Sequence, residues 1–329
     1  MHSVRVEAFG DPAVMHALSV PDPIPGPGQV LVRVRAAGVN PVDTYIRAGN
    51  YASKPALPYT PGKDAAGEIL AFGSPPPTRP DLKIGSRVWV CQGFASPGPQ
   101  TGTYAQLCVC DAASVCALPE HVTFEQGAGV GVPYMTAWIA LRERASIVPG
   151  QTLLVHGATG GVGLAAVQIA RALGCMVIGT AGTNEGAALA QREGAHVVVS
   201  HKDDAYTDQI MRATGNAGPD VILEMLANVN LAKDLAMIAS RGKIIIVGNR
   251  GEVTINPRSA MAKDATITGM ALANATLPEW TRAMWAVNEG LRNSTLRPVV
   301  REKLPLADAP KSHELVLASG AMGKIVLVP

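Results

Sequence analysis

The apolar positions change period along the chain. In the first third they alternate with polar or charged ones. Val30-Leu31-Val32-Arg33-Val34-Arg35 reads as a strand with one buried face, and residues 66–72, 87–90 and 104–109 repeat the pattern between Pro- and Gly-rich breaks. The character changes near Thr123. Thr123-Phe124-Glu125-Gln126 has the spacing of a capping box, in which hydroxyl and carboxamide each satisfy the other residue's backbone N–H, and a helical stretch follows. Beyond it, short apolar runs at 153–155, 177–180, 197–199, 221–223, 244–247 and 267–268 recur every twenty-odd residues with helical segments between them. That interval fits the strand-helix units of a parallel sheet, and six such strands are what a doubly wound, dinucleotide-binding sheet uses. A helix over 277–291 and a last strand over 324–328 close the chain. The expected class is α/β: a mostly β domain over 1–124, a doubly wound domain over 125–270, and a return to the first domain over 271–329.

Composition narrows the function classes. The 329 residues are 47% hydrophobic and 16% charged with a formal net charge of +2, which argues against disorder and against a protein that lives on neutralising phosphates. The 34 glycines and 25 prolines predict many tight turns; Ser74 to Pro80 and Ser96 to Gly102 read as stiff surface loops. Five cysteines, Cys91, Cys108, Cys110, Cys116 and Cys175, are odd in number and contain no C-x-x-C pair, so a disulfide framework is not expected and a reducing cytoplasm is. Met1 to Glu7 carries charge where a signal peptide needs its apolar stretch. The uncharged run 145–170 is broken by Pro149 and five glycines, so it reads as strand, loop and helix, and no membrane partner is expected.

Candidate chemistry begins at Leu153-Leu154-Val155-His156-Gly157-Ala158-Thr159-Gly160-Gly161-Val162-Gly163, which leads straight into Leu164-Ala165-Ala166-Val167. A strand, a glycine turn and a helix N-terminus present unpaired N–H groups and a positive dipole end to a pyrophosphate. The loop opens the first of the six strand-helix units, the context a dinucleotide fingerprint requires. Thr159, Gly160, Gly161 and Val162 are therefore candidate cofactor contacts, while His156 reads as a hydrogen-bonded core residue rather than a base. About 20 residues on, an NAD site places a carboxylate against the ribose diol; here Ala181, Gly182 and Thr183 stand. Without that carboxylate nothing repels a 2′-phosphate, so NADP(H) is the expected cofactor, with Gly182 and Thr183 beside it. His201 or Lys202 is either its polar partner or a solvated loop end.

Several separated motifs then agree. Asn40-Pro41-Val42-Asp43-Thr44-Tyr45-Ile46-Arg47-Ala48-Gly49, Pro58-Tyr59-Thr60-Pro61-Gly62-Lys63-Asp64, the glycine loop and Met225-Leu226-Ala227-Asn228-Val229-Asn230 resemble the zeta-crystallin family of quinone oxidoreductases, within the medium-chain dehydrogenase/reductase superfamily. The resemblance covers nearly the whole chain. It departs at Thr159, where Ser is more usual, and in a Cys91-to-Gly102 loop longer than the family's. The resemblance implies a GroES-like β domain plus a Rossmann domain, and NADPH-dependent reduction of quinones. It implies that Asn40, Tyr45 and Tyr51 line the nicotinamide and substrate cleft as catalytic residues, donating hydrogen bonds to a substrate oxygen that gains negative charge, with Tyr45 and Thr136 near the cofactor. Further cofactor contacts, mainly through backbone, are implied at Asn230, Val247, Gly248, Asn249, Arg250, Met270, Ala271 and Leu272. Packing roles for the tyrosines, a helix-face hydroxyl at Thr136 and a surface charge at Arg250 stay open beside these. A homodimer or homotetramer and an association with AU-rich mRNA are implied by the family alone; composition shows neither a basic tract nor an aromatic recognition motif.

Zinc dehydrogenases share the architecture, so the metal is tested by residue. The zinc relatives carry Cys after the first glycine turn and then Gly-His-Glu; this chain has Gly38-Val39-Asn40 and Gly62-Lys63-Asp64. No metal is expected. Without a Lewis acid the acceptor must be easily reduced, which favours a quinone or enone over an unactivated carbonyl, and leaves one-electron and two-electron transfer both open. An enoyl-thioester reductase is the nearest rival enzyme, and RNA binding or a structural lens role the non-enzymatic ones.

Overall fold

The computed structural model describes residues 1–93 and 100–329. Most of the Ser96-to-Gly102 loop, and with it the lengthened part of the Cys91-to-Gly102 segment, lies outside the described residues. The chain opens with strands β1 (His2–Val6), β2 (Met15–Ser19) and β3 (Gln29–Gly38), helix α1 (Pro41–Arg47), strands β4 (Asp64–Phe72), β5 (Arg87–Cys91), β6 (Leu107–Asp111) and β7 (Val115–Ala117), and helices α2 (Phe124–Ala128) and α3 (Gly131–Trp138). The strand-helix repeat follows: β8 (Thr152–Val155), α4 (Gly161–Ala172), β9 (Met176–Ala181), α5 (Asn184–Arg192), β10 (Val197–Ser200), α6 (Tyr206–Ala213), β11 (Val221–Glu224), α7 (Ala227–Met237), β12 (Lys243–Ile246), α8 (Pro257–Met261), β13 (Thr266–Gly269) and α9 (Leu277–Arg292). The chain ends with β14 (Val300–Pro305), α10 (Ala309–Leu317) and β15 (Lys324–Val328).

These elements form two units. One comprises Met1–Val132, Pro298–Ala318 and Gly323–Pro329, the other Pro133–Arg297 and Ser319–Met322. In the first, a seven-stranded sheet runs β14-β15-β3-β4-β5-β7, with β6 also paired to β3. β3 keeps its inward valines fully buried while Arg33 and Arg35 face water, as its alternation requires. The strand expected over 104–109 starts only at Leu107, because Tyr104 and Ala105 spend their N–H groups on Pro61 and Thr103. The capping box forms as read: Gln126 N donates to Thr123 Oγ1 at 3.2 Å, and Thr123 N donates to Gln126 Oε1 at 3.1 Å.

The second unit is a six-stranded, all-parallel sheet of order β10-β9-β8-β11-β12-β13, its six strands falling within a residue or two of the apolar runs. Such a sheet is covered on both faces, which explains runs that are apolar throughout rather than alternating. The return to the first unit lies at Pro298, not near 271. Helix α9 stays with the parallel sheet because Trp280 and Leu291 are buried, and because Arg144–Glu279 and Arg282–Glu143 ion pairs tie it to the π-helical turn Ile139–Arg144. Among the described residues no helix is long and apolar enough to cross a membrane. All five cysteines are free; Cys91, Cys108, Cys110 and Cys175 are buried and Cys116 is half-buried.

β15 closes the first sheet by pairing with β3 and β14, and it carries a buried cation. Lys324 Nζ meets Asp64 Oδ2 at 3.1 Å and donates to Asn40 Oδ1, and Asp64 is fully buried. Removing one partner of a buried pair strands the other charge, at a cost of about 3–5 kcal/mol. Lys324→Met is therefore expected to lower unfolding stability by that amount in a denaturant titration. Lys303→Ala, which breaks a solvent-exposed pair with Glu125, should cost under about 1 kcal/mol; equal costs for the two would contradict this account.

Candidate functional site

The glycine loop folds as a turn from β8 into α4. Gly157 has φ +59°, a conformation that favours glycine, and its N–H donates to Thr180 Oγ1 at 3.0 Å. A Cβ on Gly163 would stand 2.2 Å from the Gly157 carbonyl oxygen, so the helix packs against its own loop only without a side chain there. Gly160 is the N-cap and offers no side-chain acceptor, which leaves the first-turn N–H groups to an external anion. A Cβ on Gly160 would meet nothing closer than 3.6 Å. Twelve residues of helix behind an uncapped, open N-terminus fit a pyrophosphate. Thr159 is nearly buried, and its methyl lies where a Cβ on Gly186 would touch it, so it also packs α5 against the loop.

At the end of β9, Gly182 faces polar neighbours. A Cβ there would meet His201 Nε2 at 3.0 Å and Lys202 Cε at 3.6 Å. Both sequence candidates thus converge on the position left without a carboxylate. Burial holds the His201 imidazole below its ordinary value, with His156 and Lys202 adding to the effect. Thr183 is the N-cap of α5; its Oγ1 accepts from Gly186 N at 3.1 Å, leaving only its hydroxyl hydrogen to donate.

The remaining candidates of this unit sit at the strand ends. Val247 and Gly248 follow β12 directly, and both N–H groups donate to the Glu224 carbonyl. Gly248 tolerates no side chain, since a Cβ would lie 2.2 Å from Met225 O. Asn249 Oδ1 accepts from Asn228 N and Arg250 N donates to Asn228 Oδ1, which laces this turn to α7. Asn230 donates to Glu224 Oε1 at 3.2 Å. Met270 is buried after β13, whereas Ala271 is exposed and Leu272 half-buried. Thr136 is buried in α3. His156 is a buried core residue bonded to Asp234, as expected.

In the first unit Asn40 caps α1, and Tyr45 lies on that helix, half-buried like Tyr51 beyond it. Asn40 differs from the donor to substrate oxygen that the resemblance implied. Its side chain is 2% exposed, and it donates to Asp64 at 2.9 Å and accepts from Lys324. It holds a buried cluster instead. Asp43 belongs to the same cluster: its Oδ2 accepts from Asn40 N at 2.9 Å and from Tyr104 at 3.3 Å, and burial, followed by Asp64, pushes its carboxyl up to about 6. Tyr104 also meets His313 Nε2 at 3.2 Å, and burial holds that imidazole down at about 3, therefore neutral.

Zinc does not fit these donors. Asn40 is committed within the cluster, and Lys63 Nζ donates to Gln92 O at 3.3 Å. Cys108 and Cys110 share the buried face of β6, and the Cys110 thiol is pushed up by its hydrogen bond with Cys108 and by burial, the opposite of what a thiolate ligand needs. Sequence reasoning missed Lys324, which only the fold brings to Asp64. It also missed Glu224 and Asp234, whose signal was their place flanking the Met225-to-Asn230 motif.

Residues 26–120 match the model of the alcohol dehydrogenase GroES-like domain, and residues 161–288 that of the zinc-binding dehydrogenase family. The chain is 44% identical to the quinone oxidoreductase of Homo sapiens, covering 100% of this chain and 98% of that one. Among solved structures, the Escherichia coli quinone oxidoreductase complexed with NADPH matches with a TM-score of 0.88 at 29% identity, and an NAD-dependent alcohol dehydrogenase with 0.92 at 28%, each over 100% of both chains.

Proposed function

Since the chain belongs to the quinone oxidoreductase family, we propose that it passes reducing equivalents from NADPH to quinones without a metal ion. The observation that carries this reading is the Asn40–Asp64–Lys324 cluster. Where zinc relatives carry metal donors, this chain has an ion pair and a carboxamide that already satisfy one another. An acceptor must then take up electrons unaided by a Lewis acid, as an electron-poor quinone can.

NADPH, when bound, supplies a hydride from its nicotinamide C4. The first-turn N–H groups of α4 hold its pyrophosphate, and Gly182, Thr183, His201 and Lys202 receive the 2′-phosphate. Asn230, Val247 to Arg250 and Met270 to Leu272 complete the cofactor contacts, with Thr136. Tyr45 and Tyr51 act on the acceptor, their hydroxyls donating to an oxygen that gains negative charge. Asn40 acts behind them by keeping the Asp64–Lys324 pair in place. The exposed edge of β13, with Met261 73% exposed beside it, supports assembly with a second copy.

NADPH oxidation measured in excess chelator against a panel of quinones and enoyl thioesters tests the activity. Quinones should be reduced at undiminished rates; turnover of enoyl thioesters alone, or activity lost with a stoichiometric metal, would overturn the reading. Tyr45→Phe should lower quinone turnover about tenfold, equivalent to about 1.4 kcal/mol, while NADPH affinity changes less; unchanged turnover returns Tyr45 to a packing role. Wild type should prefer NADPH over NADH by about one to three orders of magnitude, and Gly182→Asp, whose carboxylate would meet His201 and Lys202, should shrink or reverse that ratio. An unaltered ratio in direct titration would place 2′-phosphate recognition elsewhere.

A further inference from the structure

Beneath the glycine loop lies a group of ionisable side chains to which the reaction assigns no role. His156 follows β8, Glu224 ends β11, and Asp234 lies in α7. All three are buried, with an oxygen or nitrogen of each within 4.8 Å of the other two. His156 Nε2 is 2.8 Å from Asp234 Oδ1 and 3.5 Å from Glu224 Oε2. Glu224 Oε2 and Asp234 Oδ2 have no hydrogen-bond partner, although both residues are 0% exposed. Two buried carboxylates with orphaned oxygens are costly, and a proton on one of them removes a buried charge and supplies a donor toward its neighbour.

Glu224 also organises what surrounds it. Its Oε1 accepts from Leu226 N and from Asn230 Nδ2, and its backbone carbonyl accepts from Val247 N at 2.9 Å and Gly248 N at 3.2 Å. One residue therefore fixes the turn into α7 and the turn after β12. Those two turns carry Asn230, Val247, Gly248, Asn249 and Arg250.

We propose that Glu224 and Asp234 share one proton, and that the protonated Glu224 is a positioning residue for the loops that bind NADPH. The inference rests on the NADPH reading above. The charged and titratable groups facing the pair are His156 on the β8 side, Tyr206 of α6 and Lys233 of α7, with His201, after β10, interacting with His156 and Lys202. Burial pushes up the carboxyls of Glu224 and Asp234, and burial holds His156 below its ordinary value. The folded chain thus binds these protons more tightly than the unfolded one, so the pair's contribution to stability falls as pH rises from the ordinary carboxylate range to about 7 and is level above it. A pyrophosphate arriving at the adjacent loop adds negative charge and favours the protonated pair. Binding of NADPH then takes up a proton.

The test is calorimetric titration of the full-length protein with NADPH, at pH 7, in two buffers of different ionisation enthalpy. Wild type should take up a fraction of a proton per chain, and its Kd should weaken about tenfold from pH 6 to pH 8. Glu224→Gln, which keeps the acceptor for Leu226 N and Asn230, should abolish the uptake that depends on the pair. Uptake unchanged in Glu224→Gln overturns the proposal, as does a stoichiometric divalent cation held by wild type and lost in that variant. Melting temperature against pH gives a readout free of cofactor: the decline between pH 5 and 7 should vanish in Glu224→Gln and Asp234→Asn, and its persistence in both refutes the shared proton. If NADPH fails to bind wild type at any pH, the cofactor reading falls, and the melting profile alone decides whether the proton is shared.

Discussion

One carboxylate without access to water holds three distant parts of the chain. Asp64 accepts from Asn40 at the start of α1, from Lys324 in the last strand, and from Val132 N at the start of α3, the last at 2.8 Å. The surrounding sequence is shaped by it. A Cβ on Gly131 would lie 2.2 Å from Asp64 Oδ1, and one on Gly38 would lie 2.8 Å from Lys324 Cε and 2.0 Å from Ala128 O. Gly131 leaves room for the buried carboxylate, and Gly38 for the Ala128 carbonyl and the Lys324 side chain. Desolvating an ion pair gains little stability on balance, so the use of this one lies in fixing where α1 begins, and with it the placement of Tyr45.

The second unit divides its work differently. Under the proposed function, backbone N–H groups at the start of α4 serve the phosphates that any dinucleotide carries, while side chains from a separate segment, His201 and Lys202, which converge on Gly182, serve the part where cofactors differ. Affinity and selectivity can therefore change independently. A substitution at Gly163 would disturb the loop itself, because the neighbour is backbone, whereas one at Gly182 meets only side-chain ends.

The parallel sheet was legible because its signal is local: each strand is an apolar run, and the glycine turn follows the first of them. The departures from the zinc pattern at Asn40 and Lys63 were equally plain. The partners were not. Lys324 and Asp64 are 260 positions apart, and nothing in Lys324-Ile325-Val326 distinguishes a buried cation from a surface one. The domain return was misplaced because α9 is amphipathic in either setting; only its ion pairs to the 139–144 turn decide which core its Trp280 enters. Asn40 was recognised by its motif, but its burial against Lys324 turned a presumed donor to substrate into part of the scaffold. His156 was read correctly as core, while the two carboxylates that make that core unusual lie 68 and 78 positions away.

The state of the thiols bears on survival in the presence of substrate. Quinones are soft electrophiles that arylate thiolates, and a reductase meets them at close range throughout its life. Burial pushes up the thiols of Cys91, Cys116 and Cys175, Cys116 to about 12, and Cys110 is raised by its bond to Cys108 as well. Four of the five are buried. The nucleophile in such an addition is the thiolate, so raising the thiols of Cys91, Cys110, Cys116 and Cys175 disfavours their addition to the compounds the chain consumes.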